Sequence, residues 1–220
     1  GTDHQSRNYR IHDQFLKHID ILPENVHIPD GTISEQEVSE YCAAYDKSIR
    51  KIDLMIIGFG EQGQIGFNEQ GSYAKSPTRL VELSHNSRKT QSNLFFGLEN
   101  TPKMAITMGI GTIMRADKIV LMAWGEDKAT VVQQIVEEEI SSNVPASHLQ
   151  EHPNVHLILA PHEVHEAHLH QLFQYFEGRY VRYSEANMHN IQRCRILIVD
   201  TIGLLSSIYR YGHVAYIGGG

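Results

Sequence analysis

A glycine-punctuated loop directly follows the most apolar stretch of this chain. The loop runs from Gly58 to Gln70 and reads GFGEQGQIGFNEQ. Its glycines let the backbone approach a ligand closely, because a residue without a Cβ leaves room there. Glu61, Asn68 and Glu69 supply polar groups to such a ligand. Spacing alone leaves two interpretations open, a ligand-binding loop or a plain glycine-rich connection.

The elements around this loop predict an α/β fold with a mainly parallel sheet and helices on both faces, Rossmann-like and incomplete at both ends. Residues Ile52–Gly58 (IDLMIIG) form a near-continuous apolar run, typical of a strand buried on both faces of a parallel sheet. In such sheets ligands bind beyond the carboxyl ends of the strands, where this loop begins. Further strands are predicted at Asn25–Gly31, Arg79–Leu83, Met104–Met108, Ile119–Met122, Val155–Leu159, Tyr180–Tyr183, Ile196–Val199 and Val214–Ile217.

Helices are predicted between these strands from apolar residues at helical spacing. Ser34 followed by Glu37 is a candidate capping box at the start of one of them. The predicted helices are Tyr9–Ile19, one that begins at Ser34, Ser87–Phe95, Gly111–Ala116, Lys128–Glu138, Val164–Phe176, Ala186–Gln192 and Gly203–Tyr211.

The segment Asp53–Gln70 resembles the signature of the glucosamine-6-phosphate deaminase/isomerase family, a strand followed by G-x-G-x-D-G-H-I-A/G-F-N-E-P. The resemblance extends from about Asn8 to Pro153. Four later blocks agree with the family in the same order: Val81–Phe96, Lys103–Gly111, Ile119–Lys128 and Val144–His152.

This resemblance implies conversion of an amino-sugar phosphate to a keto-sugar phosphate and ammonia, without a metal or organic cofactor. In the family a histidine assists opening of the sugar ring, an aspartate takes the proton at C2, and a lysine helps to hold the phosphate. Glu69 matches the acidic residue that orients the ring-opening group. Lys128 matches the phosphate-side lysine, although a solvated lysine at a helix start is the alternative.

The resemblance also implies which residues bind substrate. These are Gly60, Gly63 and Asn68 in the loop, together with Lys128. Arg79 falls at an arginine that contacts effectors or other subunits in some members, and it is predicted to take part in binding.

The loop departs from the family at its two catalytic positions. Gln62 stands where the family signature has the aspartate of D-G-H, and Gln64 stands where it has the histidine. Glutamine has no titrating group near neutral pH, so neither residue can act as a general acid or base. Each lost group removes a factor of about 10²–10⁴ in rate, so low activity is expected. A glutamine amide can still bind sugar hydroxyls, which leaves a non-catalytic sugar-phosphate-binding module as an alternative.

The tail resembles a different family. Its blocks Leu157–Glu166, Arg179–Glu185 and Leu197–Gly220 resemble the C-terminal half of a 3-deoxy-manno-octulosonic acid (Kdo) transferase, which uses a CMP-activated sugar. We therefore predict a deaminase-like domain at residues 1–153 and a Rossmann-like segment at 154–220. The change of resemblance within the chain suggests the hypothesis that the chain is a chimera, or a fragment at both ends. A nucleotide-sugar module derived from a glycosyltransferase is the second alternative to a deaminase function.

Composition limits the class of protein. The chain has 220 residues, of which 41% are hydrophobic and 20% charged, with a formal net charge of −7. The acidic balance argues against a nucleic-acid partner, and no apolar run approaches the roughly 20 residues of a membrane span. The first ten residues are polar and unlike a signal peptide, and Cys42 and Cys194 read as reduced thiols. We expect a cytoplasmic protein that binds a small sugar phosphate. Relatives of the deaminase often form homo-oligomers, so a homo-oligomer is also a prediction for this chain.

Four histidines in the tail could suggest a metal site. They are His162, His165, His168 and His170, at roughly helical spacing. No cysteine or carboxylate cluster completes a ligand set, so a solvated helix start is the favoured interpretation.

Overall fold

The computed structural model describes residue 4 and residues 6–49, 51–124, 128–160, 176, 180–200, 217 and 218. They form an α/β structure, and two compact units are distinguished within it: residues 1–48 with 78–107, and residues 49–77 with 108–220. The elements in chain order are α1 (Arg7–Gln14), α2 (Val38–Ser48), β1 (Met55–Gly58), β2 (Arg79–Glu82), α3 (His85–Gln91), β3 (Met104–Thr107), α4 (Ile110–Ile113), β4 (Ile119–Trp124), α5 (Ala129–Val136), β5 (Val155–Ala160), β6 (Tyr180–Arg182), α6 (Met188–Ile191), β7 (Ile196–Ile198) and β8 (Ile217–Gly218).

The larger unit is built on a six-stranded sheet in the order β6-β7-β5-β4-β1-β8. Every neighbouring pair in it is parallel. Met55 of β1 lies opposite Ile119 of β4, which in turn lies opposite Val155 of β5. The predicted α/β fold with a mainly parallel sheet is therefore confirmed.

The apolar residues of β1 and β4 explain why these strands lie in the interior of the sheet. Met55 and Ile119 are fully buried, and Ile57 is 1% exposed. Burial on both faces of a parallel sheet requires such continuous apolar residues. One cluster of buried side chains joins three of the strands, β1, β4 and β5, and the residue after β7: Ile56, Met122, Ile158, Ala160 and Val199.

The sheet continues through the predicted boundary at Pro153. The strand before it, β4, and the strand after it, β5, pair along six residues from Ile119↔Val155 to Trp124↔Ala160. The two predicted segments thus share one sheet, and the division at residue 153 stays a prediction about their origin.

The smaller unit contains an antiparallel pair, β2 with β3. The start of β2 is tied to α2, because Thr78 donates hydrogen bonds from its backbone N–H and its hydroxyl to the carboxylate of Asp46. Val38, Cys42 and Tyr45 form the buried face of α2. Cys42 and Cys194 are both free thiols.

Two local predictions are wrong in the first fifty residues. The predicted strand Asn25–Gly31 is replaced by a short 3-10 helix, Pro23–Asn25, and then by irregular chain. A proline at the first helical position favours such a turn, because its φ is already suited to it. The second helix begins at Val38 and not at Ser34, although the Ser34 hydroxyl does donate to the Glu37 carboxylate at 2.6 Å.

Two of the predicted helices fall largely or wholly outside the described residues. The first is Val164–Phe176, of which only Phe176 is described, and the second is Gly203–Tyr211. The four tail histidines also lie outside the described part. Within the described ranges, no helix has the length and apolar character needed to cross a membrane.

A buried carboxylate fastens the outer strands β6 and β7 together. Asp200 follows β7, and its side chain is 2% exposed. It accepts hydrogen bonds from Arg182 Nε at 3.0 Å, from the Ser184 N–H at 2.9 Å and from the Ser184 hydroxyl. Burial by itself would raise the pKa of this carboxyl, but the hydrogen bonds from Ser184 and Arg182 outweigh it and lower the pKa.

We predict that Asp200→Asn lowers the free energy of unfolding at pH 7 by about 2 kcal/mol, since hydrogen bonds to a charged acceptor are lost. A lowered native pKa stabilises the fold above the unfolded-state pKa and is lost as pH falls through the native value. The difference from wild type should therefore narrow below about pH 4. Urea titrations at several pH values measure this difference in the free energy of unfolding. Glu185→Gln, on an exposed side chain, is the matched control, and a difference independent of pH would contradict the assignment.

Candidate active site

The loop Gly58–Gln70 leaves the carboxyl end of β1 as a tight turn. The Gly60 N–H donates to Gln64 O at 2.9 Å, and the Gly63 N–H donates to Gly60 O at 3.0 Å. Phe59 and Ile65 pair across the turn as an antiparallel bridge, and both are buried. The loop is therefore anchored by apolar side chains at its base, while its tip, at Glu61 and Gln62, is exposed.

Gly63 needs both its conformation and its lack of a side chain. Its φ is +71°, and a Cβ there would lie 2.5 Å from Val144 Cγ1. Its carbonyl accepts a hydrogen bond from the Ala146 N–H at 2.8 Å. The left-handed φ and the close neighbour both exclude larger residues, so Gly63 packs the loop onto the segment that contains Val144 and Ala146.

The side chain of Gln64 turns back onto its own loop. Its Oε1 accepts a hydrogen bond from the Gln62 N–H at 2.9 Å. A Cβ on Gly60 would lie 2.2 Å from Gln64 Nε2, so the carboxamide occupies the space above this glycine. Gln62 is exposed and Gln64 half-buried. Both offer hydrogen bonds to a ligand, and neither can exchange a proton near neutral pH.

Asn68 is fully buried below the loop. Its Nδ2 donates to Ile65 O at 2.9 Å and to Met108 O at 2.7 Å. A carboxamide nitrogen carries two hydrogens, so this nitrogen has none left for a ligand. The role that the contacts give to Asn68 is to fix the loop against the chain around Met108. The next residue, Glu69, is half-buried.

Lys128 lies at the same edge of the sheet as the loop. It immediately precedes α5, which follows β4, and β4 is the parallel neighbour of β1 with Gly58 opposite Met122. Lys128 is half-buried. Since the carboxyl ends of parallel strands share one edge, the topology brings a cation to the edge at which the loop emerges.

Arg79 belongs to the smaller unit, where it begins β2 opposite Thr107. It is half-buried, and burial lowers the pKa of its guanidinium below the usual value. Its predicted role in binding stays a prediction.

The larger unit therefore offers the carboxylates of Glu61 and Glu69, the carboxamides of Gln62 and Gln64, a cation and backbone amides at one edge of the sheet. That set suits a polar, anionic small molecule. Among the described residues, no group of three or more His, Cys, Asp or Glu side chains could hold a metal ion. The contact between the Ala146 N–H and Gly63 O could not be predicted from the sequence, because every residue other than proline carries the same backbone amide.

A parallel α/β sheet with a glycine-rich loop at the carboxyl end of its buried strand defines this chain as an α/β protein with a candidate small-molecule site at that edge. The chain belongs to the glucosamine-6-phosphate isomerases/6-phosphogluconolactonase family, whose pattern matches residues 1–158.

The similarity extends to curated relatives and to solved structures. The chain is 40% identical over 163 residues to a glucosamine-6-phosphate deaminase of Thermoanaerobacter pseudethanolicus, a match that covers 72% of this chain and 64% of that protein. It is 43% identical over 152 residues to a putative glucosamine-6-phosphate deaminase-like protein of Bacteroides thetaiotaomicron, covering 68% of this chain and 23% of the relative. The chain thus spans less than two thirds of the length of these relatives.

The structure is similar to that of a monomeric glucosamine-6-phosphate deaminase, with a TM-score of 0.68 and 35% identity. That similarity covers 73% of this chain and 67% of the other. A 6-phosphogluconolactonase from Leishmania guyanensis shares the fold with a TM-score of 0.54 at 18% identity, covering 73% of this chain and 67% of that one.

We predict that Asn68→Ala lowers the free energy of unfolding by about 2–3 kcal/mol, because the two buried hydrogen bonds from its carboxamide to Ile65 O and Met108 O are lost. Chemical denaturation followed by circular dichroism measures the change. Asn143→Ala is the matched control: Asn143 is exposed and accepts one hydrogen bond from Gln70 Nε2. Its cost should stay within about 0.5 kcal/mol. Equal costs at the two sites would argue against Asn68 as the anchor.

Proposed function

We propose that this chain is a sugar-phosphate protein of the glucosamine-6-phosphate deaminase type, which binds an amino-sugar phosphate but converts it slowly. The observation that carries the proposal is the loop after β1. It keeps the turn, the glycines, Asn68 and Glu69 of the family signature, and it has Gln62 and Gln64 at the two proton-transfer positions.

Binding is supported by the groups at the carboxyl edge of the sheet. Lys128 would contact the phosphate as a point charge, at the start of α5. Gln62, Gln64 and the backbone around Gly60 and Gly63 would face the sugar hydroxyls. Asn68 would support these contacts indirectly, since its nitrogen is engaged with Ile65 O and Met108 O.

Slow conversion follows from the chemistry of carboxamides. Removal of ammonia from an amino sugar requires a proton to leave C2 and another to reach the ring oxygen. Glutamine can do neither, and the two positions together would otherwise supply a factor of about 10⁴ or more. Glu69 keeps the carboxylate at the acidic position of the signature. In the family this carboxylate orients the ring-opening group, so alone it does not replace the two missing proton-transfer groups.

The origin of the tail, residues 154–220, is a separate proposal. A Kdo-transferase-like origin of residues 154–220 rests on the sequence resemblance, while the family match ends at residue 158. Binding of CMP would support it, and absence of CMP binding would leave the tail as an extension of the deaminase-type sheet. Formation of a homo-oligomer likewise stays a prediction.

We predict that wild-type protein binds glucosamine 6-phosphate and that Lys128→Ala weakens the affinity by about tenfold, because one charge-assisted contact to phosphate is lost. Isothermal titration calorimetry measures this. Lys118→Ala is the control, since Lys118 is exposed and precedes β4 at the opposite end of the same strand. Equal weakening by both substitutions would contradict a phosphate contact at Lys128.

We predict that the double substitution Gln62→Asp with Gln64→His raises the rate of ammonia release from glucosamine 6-phosphate by at least about 100-fold, because it restores a base and an acid. A coupled assay for ammonia measures the rate. Gln70→Asp places a carboxylate on an exposed residue of the same loop and should leave the rate at the wild-type level. Wild-type protein that already turns over as fast as the double variant would refute slow conversion.

A further inference from the structure

A cavity lies in the larger unit, away from the glycine-rich loop. Its volume is about 570 Å³, within the usual range for small-molecule sites. One wall is formed by Tyr180 and Val181 of β6, and the opposite wall by Asn187, Asn190 and the chain that follows α6.

This cavity reaches the amino ends of the strands. Tyr180 is the first residue of β6 and lies opposite Ile196, the first residue of β7. Arg193 and Cys194, which also line the cavity, directly precede β7. The loop Gly58–Gln70 leaves the carboxyl end of β1, so the two features lie at opposite edges of one parallel sheet.

The charge of the cavity is positive. Arg193 supplies a positive charge to it, and none of the described lining residues is acidic. Within the described part of the chain, the Arg193 guanidinium has no carboxylate or carbonyl partner, and the residue is exposed. An arginine without a partner in a concave site is well suited to bind an anion through parallel hydrogen bonds.

The surroundings reinforce this charge, although the chain as a whole carries −7. His156 on β5 is half-buried, and burial lowers the pKa of its imidazole. The cations Lys118 and Arg195 lower that pKa further, which places both of them close to the same edge of the sheet. The amino edge at β5 and β7 is thus a locally cationic region.

The polar wall is held in place before any ligand binds. Asn187 Oδ1 accepts hydrogen bonds from the N–H groups of His189 and Asn190 at 3.0 and 3.1 Å. Asn190 Oδ1 accepts from the Asn187 N–H at 2.7 Å, and its Nδ2 donates to Glu185 O at 3.0 Å. In the described structure the Asn187 Nδ2 remains available to a ligand. Preorganised polar groups bind at a lower entropic cost than mobile ones.

We propose that this cavity binds the phosphomonoester of a small polar molecule, with Arg193 on the phosphate, Asn187 Nδ2 on a hydroxyl and the ring of Tyr180 against the less polar face. This site is independent of the loop after β1, because it shares no residue with it.

The cysteines provide a local test. Cys194 lines the cavity and is half-buried, whereas Cys42 is 2% exposed and its thiol pKa is raised by burial and by Asp46. A ligand in the cavity should slow alkylation of Cys194 by iodoacetamide, measured by peptide mass spectrometry, and leave Cys42 unchanged. Glucose 6-phosphate is the probe, with glucose, gluconate and inorganic phosphate at equal concentration for comparison.

The expected result is protection of Cys194 by glucose 6-phosphate, weaker protection by inorganic phosphate, and none by glucose or gluconate. Arg193→Ala should raise the concentration needed for half-protection by about tenfold or more. Lys128→Ala should leave it within about twofold, because Lys128 does not line the cavity. Equal protection by gluconate would refute a phosphate site. Protection that survives Arg193→Ala, or that is lost with Lys128→Ala, would refute the cavity as the place of binding.

Discussion

The two hydrogen bonds from the buried carboxamide of Asn68 are the contacts on which the candidate active site depends. One closes the loop on itself at Ile65, and the other reaches Met108, forty residues along the chain. Without them the carbonyl oxygens of Ile65 and Met108 would each lose a buried hydrogen bond, which is costly where water does not replace it, although Ile65 O also accepts from the Asn68 N–H at 3.0 Å. The glycine turn, the placement of Gln62 and Gln64, and the packing of Gly63 on Val144 all require a loop held at this point.

The fold of the loop and its chemistry are consequently separate. Its shape rests on backbone hydrogen bonds, on buried Phe59 and Ile65, and on Asn68. Of the side chains at positions 62 and 64, that of Gln64 takes part in one of the described hydrogen bonds, from the Gln62 N–H to Gln64 Oε1. Residues there can change their chemistry at little cost to stability, whereas a change at Asn68 cannot be absorbed. A recognisable family loop that lacks proton-transfer groups is therefore physically reasonable.

Much of the sheet could be predicted from the sequence, because strands buried on both faces need continuous apolar runs. The run Ile52–Gly58 gave β1 correctly, apart from three residues at its start. The region before α2 could not be predicted as well, since Asn25–Gly31 alternates like a strand but has no partner strand in the described structure. The anchoring role of Asn68 could not be predicted from the sequence either. A sequence places an asparagine in a loop, but the direction of its amide depends on a carbonyl distant in the chain. The same reason hides the cavity at Arg193, whose walls come from separate elements.

The pairing of β5 with β7 bears on where such a chain can be divided. Leu157 lies opposite Ile196 and Leu159 opposite Ile198, and all four side chains are buried. The family match stops at residue 158, within β5 itself. A shortened protein that ended there would present half a strand with open backbone amides and bare leucines, the kind of sheet margin that templates aggregation. The family match therefore ends inside the sheet, and β7, which lies after the match, covers the edge that β5 would otherwise expose.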